Sequence, residues 1–363
     1  MAELADKIAA LVPHAEGNLA AMIQLARMMR KAGQHEQALA QCRKAIALAP
    51  QDAELAARVN RLLSEYVKAW HFAIVRDERR NAAYDAALRR AIRPGSRVLE
   101  IGTGTSLLAM MAARAGAAEV ITCEMNPVIA EAAREILVRN GFADRVRVIA
   151  KHSDELDVEA DLHGPVDILV SEIVSNNLLG QDVLAVHERA VRDLLKPGGH
   201  VIPARGAIRV ALAEDLRDDR ERLGEINGFD LSSFNALMPP ARKIRVDHER
   251  LKLRGEAADL FVFDFGVGQF CAPARACAAC VATGGRVNGI AQWIALDMDG
   301  HTRYENRPAP DATLSCWAVL FHPLPHTIDT SPKQEIRVFG SHDRHQVSIW
   351  CDPSGDKIHR LPT

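Results

Sequence analysis

The chain has 363 residues, 48% hydrophobic and 25% charged, enough for two or three globular domains with buried cores. A formal net charge of −2, with no block of like charge, gives no electrostatic reason to expect binding to nucleic acid or to an anionic membrane. Seven cysteines, an odd number, suit reduced thiols better than a disulfide framework; with no apolar run of membrane-spanning length and no signal-peptide order at the N-terminus, a cytoplasmic location is expected.

The first 65 residues are rich in Ala and helical in pattern. Helices are expected near 2–12 and from Ala53 to about Tyr66. Between them Met22, Leu25, Ala26, Met29, Gly33, Ala38, Cys42, Ala45 and Pro50 stand at the spacing of one tetratricopeptide repeat. One repeat cannot bury its apolar face alone, so it is expected to stack on the flanking helices or on the next domain. A helical cap and a peptide-binding surface are both open readings of this region.

From 66 to 202 strand and helix alternate, with short apolar strands expected at 98–101, 120–123, 146–149 and 168–170. This alternation predicts an α/β, Rossmann-like parallel sheet with its ligand at the carboxyl ends of the strands, where Gly102, Gly104, Glu124, His152, Ser153, Asp154 and Glu172 fall. The first strand runs straight into Gly102-Thr103-Gly104 and then into a helical pattern. Twenty residues past Gly104, Glu124 closes the second strand, the spacing at which a carboxylate can accept from ribose hydroxyls. The dinucleotide fingerprint needs a further glycine at 107, where the chain has Leu107. A pyrophosphate requires that close backbone approach, whereas S-adenosylmethionine has no pyrophosphate. The turn therefore reads as that of a methyltransferase, and a nicotinamide-dependent oxidoreductase lacks its glycine.

After 203 the period changes to alternating or apolar runs at 208–212, 260–265, 288–296, 314–321, 335–339 and 346–350, which predict a β-rich domain with a barrel or sandwich core. Residues 215–240 break this pattern as an excursion. Cys271, Cys277 and Cys280 lie among alanines without a second pair at zinc-ribbon spacing and read as small helix-packing residues. His322 and His326 flank Pro323 and Pro325, which argue for an ordinary loop. No metal site is expected.

Over roughly 66–350 the chain resembles the protein arginine methyltransferase family. Residues 98–105 resemble its cofactor turn, with Glu100, Gly102 and Gly104 as cofactor-binding positions and Glu124 beyond them. Residues 76–84 are similar to the preceding helix, where Arg80 matches the arginine that holds the methionine carboxylate. Residues 149–156, with His152, Ser153 and Asp154, look like the adenine-contacting loop, and 168–172 like the strand before the loop that carries two substrate-binding glutamates. Residues 227–232 match the end of the family's dimerisation arm and 293–299 a strand of its barrel. The resemblance implies a tetratricopeptide-like region (1–65), a Rossmann-like domain (66–202) and a β-barrel-like domain (203–363) with an arm near 215–240. It also implies S-adenosyl-L-methionine as cofactor, a homodimer, and methyl transfer to a guanidino nitrogen of a protein or peptide, with Glu172 and Gln181 as the catalytic pair.

Two positions depart from the family. Nine residues after Glu172 stands Gln181 rather than a second glutamate, and Ser315-Cys316-Trp317 replaces Thr-His-Trp. Two carboxylates suit a guanidinium because each accepts a bidentate hydrogen bond and together they localise its charge. A neutral amide gives up the charge-assisted share, on the order of 1 to 2 kcal/mol. Weaker arginine methylation is expected. A methyltransferase on another nucleophile, and a cofactor-binding scaffold that recruits partners through its N-terminal helices, remain the alternatives.

Overall fold

The computed structural model describes residues 2–216, 223–269 and 271–351. Four helices open the chain: α1 (Ala2–Ala15), α2 (Leu19–Lys31), α3 (His35–Leu48) and α4 (Ala53–Ser64). Asn18 and Asp52 start α2 and α4 by accepting from Ala21 N (3.1 Å) and Leu55 N (3.0 Å), amides that the helices cannot pair internally. Met22, Leu25, Ala26, Met29, Ala38, Cys42 and Ala45 all lie in one buried cluster with Ile8, Leu55, Val59 and Leu62. The repeat thus buries its apolar face on its own neighbours. Its contact with the next unit is polar: Arg43 reaches Glu131 (2.9 Å) and Glu135 (2.5 Å), and Asn126 Nδ2 donates to the Tyr66 carbonyl (2.9 Å).

Helices α5 (Trp70–Arg76) and α6 (Glu78–Ala91) lead into β1 (Arg97–Ile101), α7 (Leu107–Arg114), β2 (Glu119–Cys123), α8 (Pro127–Arg139), β3 (Val146–Ile149), β4 (Val166–Ser171), α9 (Val183–Asp193) and β5 (Leu195–Ile202). The five strands form a parallel sheet in the order β3-β2-β1-β4-β5. Helices cover both faces, which is why Val98, Leu99, Val120, Ile121, Ile168, Leu169 and Val170 can be continuous apolar runs, all buried. The strand order reverses direction at β1 and β4, and a crevice opens there at the carboxyl ends.

The remaining strands are β6 (Arg205–Asp215), β7 (Glu225–Ile226), β8 (Phe229–Asp230), β9 (Arg242–Ile244), β10 (Leu251–Leu253), β11 (Ala258–Asp264), β12 (Ala274–Val281), β13 (Gly285–Asp297), β14 (Arg303–Glu305), β15 (Val319–Thr330), β16 (Glu335–His342) and β17 (Val347–Cys351). A seven-stranded antiparallel sheet runs β10-β6-β13-β15-β9, with β11 on β6 and β14 on β13; β12-β16-β17 form a second sheet. Among the described residues the strand order does not close into a ring. Strands β7 and β8 form a hairpin inside the expected arm, followed by a 3₁₀ turn (Ser232–Leu237); residues 217–222 of that segment lie outside the described residues. Among the described residues no helix is long and apolar enough to cross a membrane.

Three local expectations are corrected. The segment with Cys277 and Cys280 is strand β12 rather than helix: Ala278 and Cys280 are buried while Cys277 is exposed, a period of two, and the segment pairs in full register with β16. The prolines at 323 and 325 sit inside β15, not in a loop, because the pairing with β13 slips there: Gly289 faces Pro323 while Val287 faces Ile328, and this bulge spares the missing amides. The strand expected over 314–321 begins only at Val319, leaving Ser315 to Trp317 as a loop that reaches the crevice.

Candidate active site

A cavity of about 510 Å³ lies over the carboxyl ends of β1, β2 and β4, with Trp70, His71, Ile74 and Val75 of α5 along one side. Of the sequence-derived candidates, Arg80, Glu100, Gly102, Gly104, Glu124, His152, Ser153, Glu172 and Gln181 line it. Asp154 does not: its carboxylate is 58% exposed and faces His152 Nδ1 at 3.5 Å.

The glycine turn is held from beneath, since Gly102 N and Thr103 N both donate to the Cys123 carbonyl at 3.1 Å. Gly102 (φ +86°) and Gly104 (φ +49°) use left-handed backbone, and a Cβ on Gly102 would lie 3.0 Å from Ile173 Cγ2. Glu124 accepts from Gly104 N (3.2 Å) and Asn126 N (2.9 Å). Those two bonds fix the carboxylate and leave half of its acceptor capacity for a ligand. Glu100 accepts from Thr122 Oγ1 (2.6 Å), and Thr122 in turn bonds Thr103 (2.7 Å). Burial pushes the Glu100 carboxyl up to about 8, against the opposing effect of the Thr122 bond.

At the other end of the cavity Arg80 and Glu172 meet. Arg80 Nη1 lies 3.2 Å from Glu172 Oε2, and the two side chains are 3% and 6% exposed. Glu172 Oε1 and Arg80 Nε are buried and have no hydrogen-bond partner. Burial raises the Glu172 carboxyl to about 8 although Arg80 pulls it down, and Asp77 adds to the rise. Tyr84, under the Arg80 guanidinium, donates to the Ser171 carbonyl (2.9 Å). Ser171 Oγ also bonds His187 Nε2 (2.7 Å), and His187 Nδ1 donates to the Val183 carbonyl (2.7 Å). Burial lowers His187 to about 4, so it stays neutral and ties the end of β4 to α9.

Asp77, whose role the sequence did not disclose, organises this end. It caps α6 by accepting from Arg80 N (3.0 Å), and its other oxygen accepts from Tyr304 OH (2.6 Å) and Cys316 N (3.0 Å). The loop around Cys316 then grips the segment after Glu172: Trp317 Nε1 donates to the Val174 carbonyl (3.2 Å) and Ala318 N to Asn176 Oδ1 (2.8 Å). Burial drives the Cys316 thiol far up, so this loop presents a neutral group beside Asp77. Among the described residues, no group of three or more His, Cys, Asp or Glu could hold a metal ion.

The sequence and the fold have counterparts among known proteins. A family model described as ribosomal protein L11 methyltransferase (PrmA) matches residues 86–212. An arginine N(omega)-methyltransferase from Streptomyces achromogenes subsp. streptozoticus is 38% identical over 265 residues, covering 71% of this chain and 73% of that protein. Protein arginine N-methyltransferase 7 from Oryza sativa subsp. japonica is 31% identical over 259 residues, 65% of this chain but 36% of its own length. Two solved structures share the fold. The Trypanosoma brucei PRMT1 enzyme–prozyme complex with AdoHcy has a TM-score of 0.69 at 23% identity, covering 80% of this chain and 94% of that one. Arabidopsis thaliana protein arginine methyltransferase 10 has a TM-score of 0.64 at 18% identity, covering 77% and 89%. Identity of 38% across most of the Streptomyces protein assigns the family: this chain is an S-adenosylmethionine-dependent methyltransferase belonging to the arginine N-methyltransferases.

Proposed function

We propose that this enzyme methylates a guanidino nitrogen of arginine in a protein or peptide. The observation that carries the reading is the unpartnered Oε1 of Glu172, on a side chain 6% exposed that lines the cavity. A buried carboxylate oxygen without a donor is costly unless a ligand brings one. A guanidinium brings two in the matching geometry.

The residues present fit S-adenosyl-L-methionine. The cradle at Gly102, which a Cβ would fill, leaves room for close backbone approach, and Glu124 keeps acceptor capacity for ribose hydroxyls. The unpartnered Nε of Arg80 supports its role toward the methionine carboxylate, and Glu100 steadies the turn through Thr122 and Thr103. His152 and Ser153 line the cavity on the side read as the adenine end; Asp154 would join them only by turning away from His152.

When bound, the cofactor supplies an electrophilic methyl on a sulfonium that is already a good leaving group. The protein's share is alignment and charge. Glu172 accepts from the guanidinium, localises its positive charge away from the attacking nitrogen, and takes the proton that the methylated nitrogen gives up.

The test is incubation with labelled S-adenosylmethionine and an arginine-rich peptide pool, followed by amino-acid analysis, with Glu172→Gln alongside. Methylarginine that depends on Glu172 supports the proposal. Binding of S-adenosylhomocysteine with no label on arginine would refute it.

The chain is further read as three units, 1–65, 66–202 and 203–363, of a cytoplasmic enzyme. Phe229, Phe234 and Leu237 of the arm are 70%, 63% and 72% exposed, which supports a homodimer built on that segment. A monomer by sedimentation at micromolar concentration would remove that part.

A further inference from the structure

We propose that Asp182 supplies the second carboxylate to the guanidinium, in place of the glutamate that Gln181 replaces. The inference rests on the guanidino substrate argued above. Asp182 lines the same cavity as Glu172 and Gln181. The backbone presents it in an unusual way, because Gln181 (φ +59°) and Asp182 (φ +54°) are consecutive left-handed residues and neither is glycine. Such backbone is rare outside glycine and concentrates where a side chain must be aimed. It lies between the segment after Glu172 and the start of α9, and both left-handed residues line the cavity.

Asp182 also leaves its ordinary local use unfilled. It stands at the N-cap of α9, where an aspartate normally accepts from the first helical amides, yet its side chain makes no such bond. Its partner is His345 Nδ1 at 2.8 Å, with the two side chains 65% and 58% exposed. An exposed pair of that kind is weak and readily exchanged for a better donor.

Charge balance points the same way. The Glu172 carboxyl lies against the Arg80 guanidinium, so the pair offers an arriving cation no net negative charge. Asp77 is spent on Arg80 N, Tyr304 and Cys316. Gln181 is neutral. Asp182, by contrast, lies against neither Arg nor Lys among the described ion pairs; its partner is the solvent-exposed His345. With Glu172 and Asp182 both lining the cavity, a guanidinium that enters it meets two acidic acceptors despite the lost glutamate.

The test uses the full chain in three forms, wild type, Asp182→Asn and Asp182→Glu, with Gln181→Glu added to Asp182→Asn as a fourth. Initial rates of methylarginine formation are measured against an arginine peptide at saturating S-adenosylmethionine, and peptide binding is measured by calorimetry with S-adenosylhomocysteine present. Asp182→Asn should lower kcat/KM for the peptide by roughly ten- to a hundredfold and weaken peptide binding, with S-adenosylhomocysteine affinity held within about twofold. Asp182→Glu should keep most of the rate, and Gln181→Glu should restore at least about tenfold to Asp182→Asn. Equal kcat/KM for wild type and Asp182→Asn overturns the assignment. So does an Asp182→Glu variant that falls as far as Asp182→Asn, which would mark a purely structural role. A wild type that binds S-adenosylhomocysteine but methylates no guanidino nitrogen overturns the proposed function itself, and the assignment with it.

Discussion

Glu172 makes the pH dependence of the reaction a direct test of the site. Its carboxyl is raised from 4.5 to about 8, first by burial and then by Asp77, with Arg80 opposing. The group is therefore mostly neutral at pH 7 before substrate arrives, about one part in ten ionised. A guanidinium stays protonated throughout this range and prefers the ionised acceptor. Forming the productive complex at pH 7 then costs about 1.4 kcal/mol for removing the proton, and about 2.7 kcal/mol at pH 6. Because kcat/KM reports the free enzyme, it should climb close to tenfold per unit from pH 6 to 7, bend near 8 and flatten above. The assay is the initial rate of methylarginine formation at low peptide and saturating cofactor, in constant-ionic-strength buffers from pH 6 to 9.5. Glu100 is pushed to a similar value, so Glu172→Gln supplies the assignment: its profile should be flat over the same range and lower throughout by a factor of roughly 100. A flat wild-type profile, or a rising limb that survives in Glu172→Gln, refutes the argument.

Three further outcomes follow from the packing. Gly102→Ala should lose at least about tenfold in S-adenosylhomocysteine affinity and about 1 to 3 kcal/mol of stability, because φ is +86° and the new methyl would meet Ile173 Cγ2 at 3.0 Å; calorimetry and a urea melt report the two. Asp77→Ala should cost about 2 kcal/mol or more, since it takes their acceptor from Cys316 N and Arg80 N and leaves Tyr304 OH only its bond to Ser315 Oγ, and a change below about 1 kcal/mol in urea would contradict the role given to Asp77. Arg43→Glu removes both ion pairs between α3 and α8; their side chains are 33–53% exposed, so unfolding should move by no more than about 1 kcal/mol while hydrogen exchange in α3 and α8 speeds up.

What could be read from the chain, and what could not, divides by the range of the interactions. The glycine turn, and the placement of Glu124 and of the strand before Glu172 at the cavity, were legible because each position is set within a few residues or within one strand–turn–helix unit: Glu124 is fixed by Gly104 and Asn126, its neighbours across that unit. The tetratricopeptide positions were legible for the same reason, a local period that becomes a buried stripe. Strand β12 was not, because alanine and small cysteines suit a helix, and only the ladder with β16 makes a strand of them. Asp77 was hidden more deeply. On the chain it is one acid in a charged run, and what makes it central is Tyr304, 227 residues away, and the Cys316 amide, 239 residues away. Asp182 belongs to the same class. In sequence the comparison stops at Gln181, where a glutamate is missing, and the loss reads as a loss of charge. In the fold, two left-handed residues set the next side chain along the same cavity, so a deficit at one position can be met by the residue beside it. A motif compared position by position cannot register that compensation, because the guanidinium responds to where the carboxylates stand in space and not to their numbering.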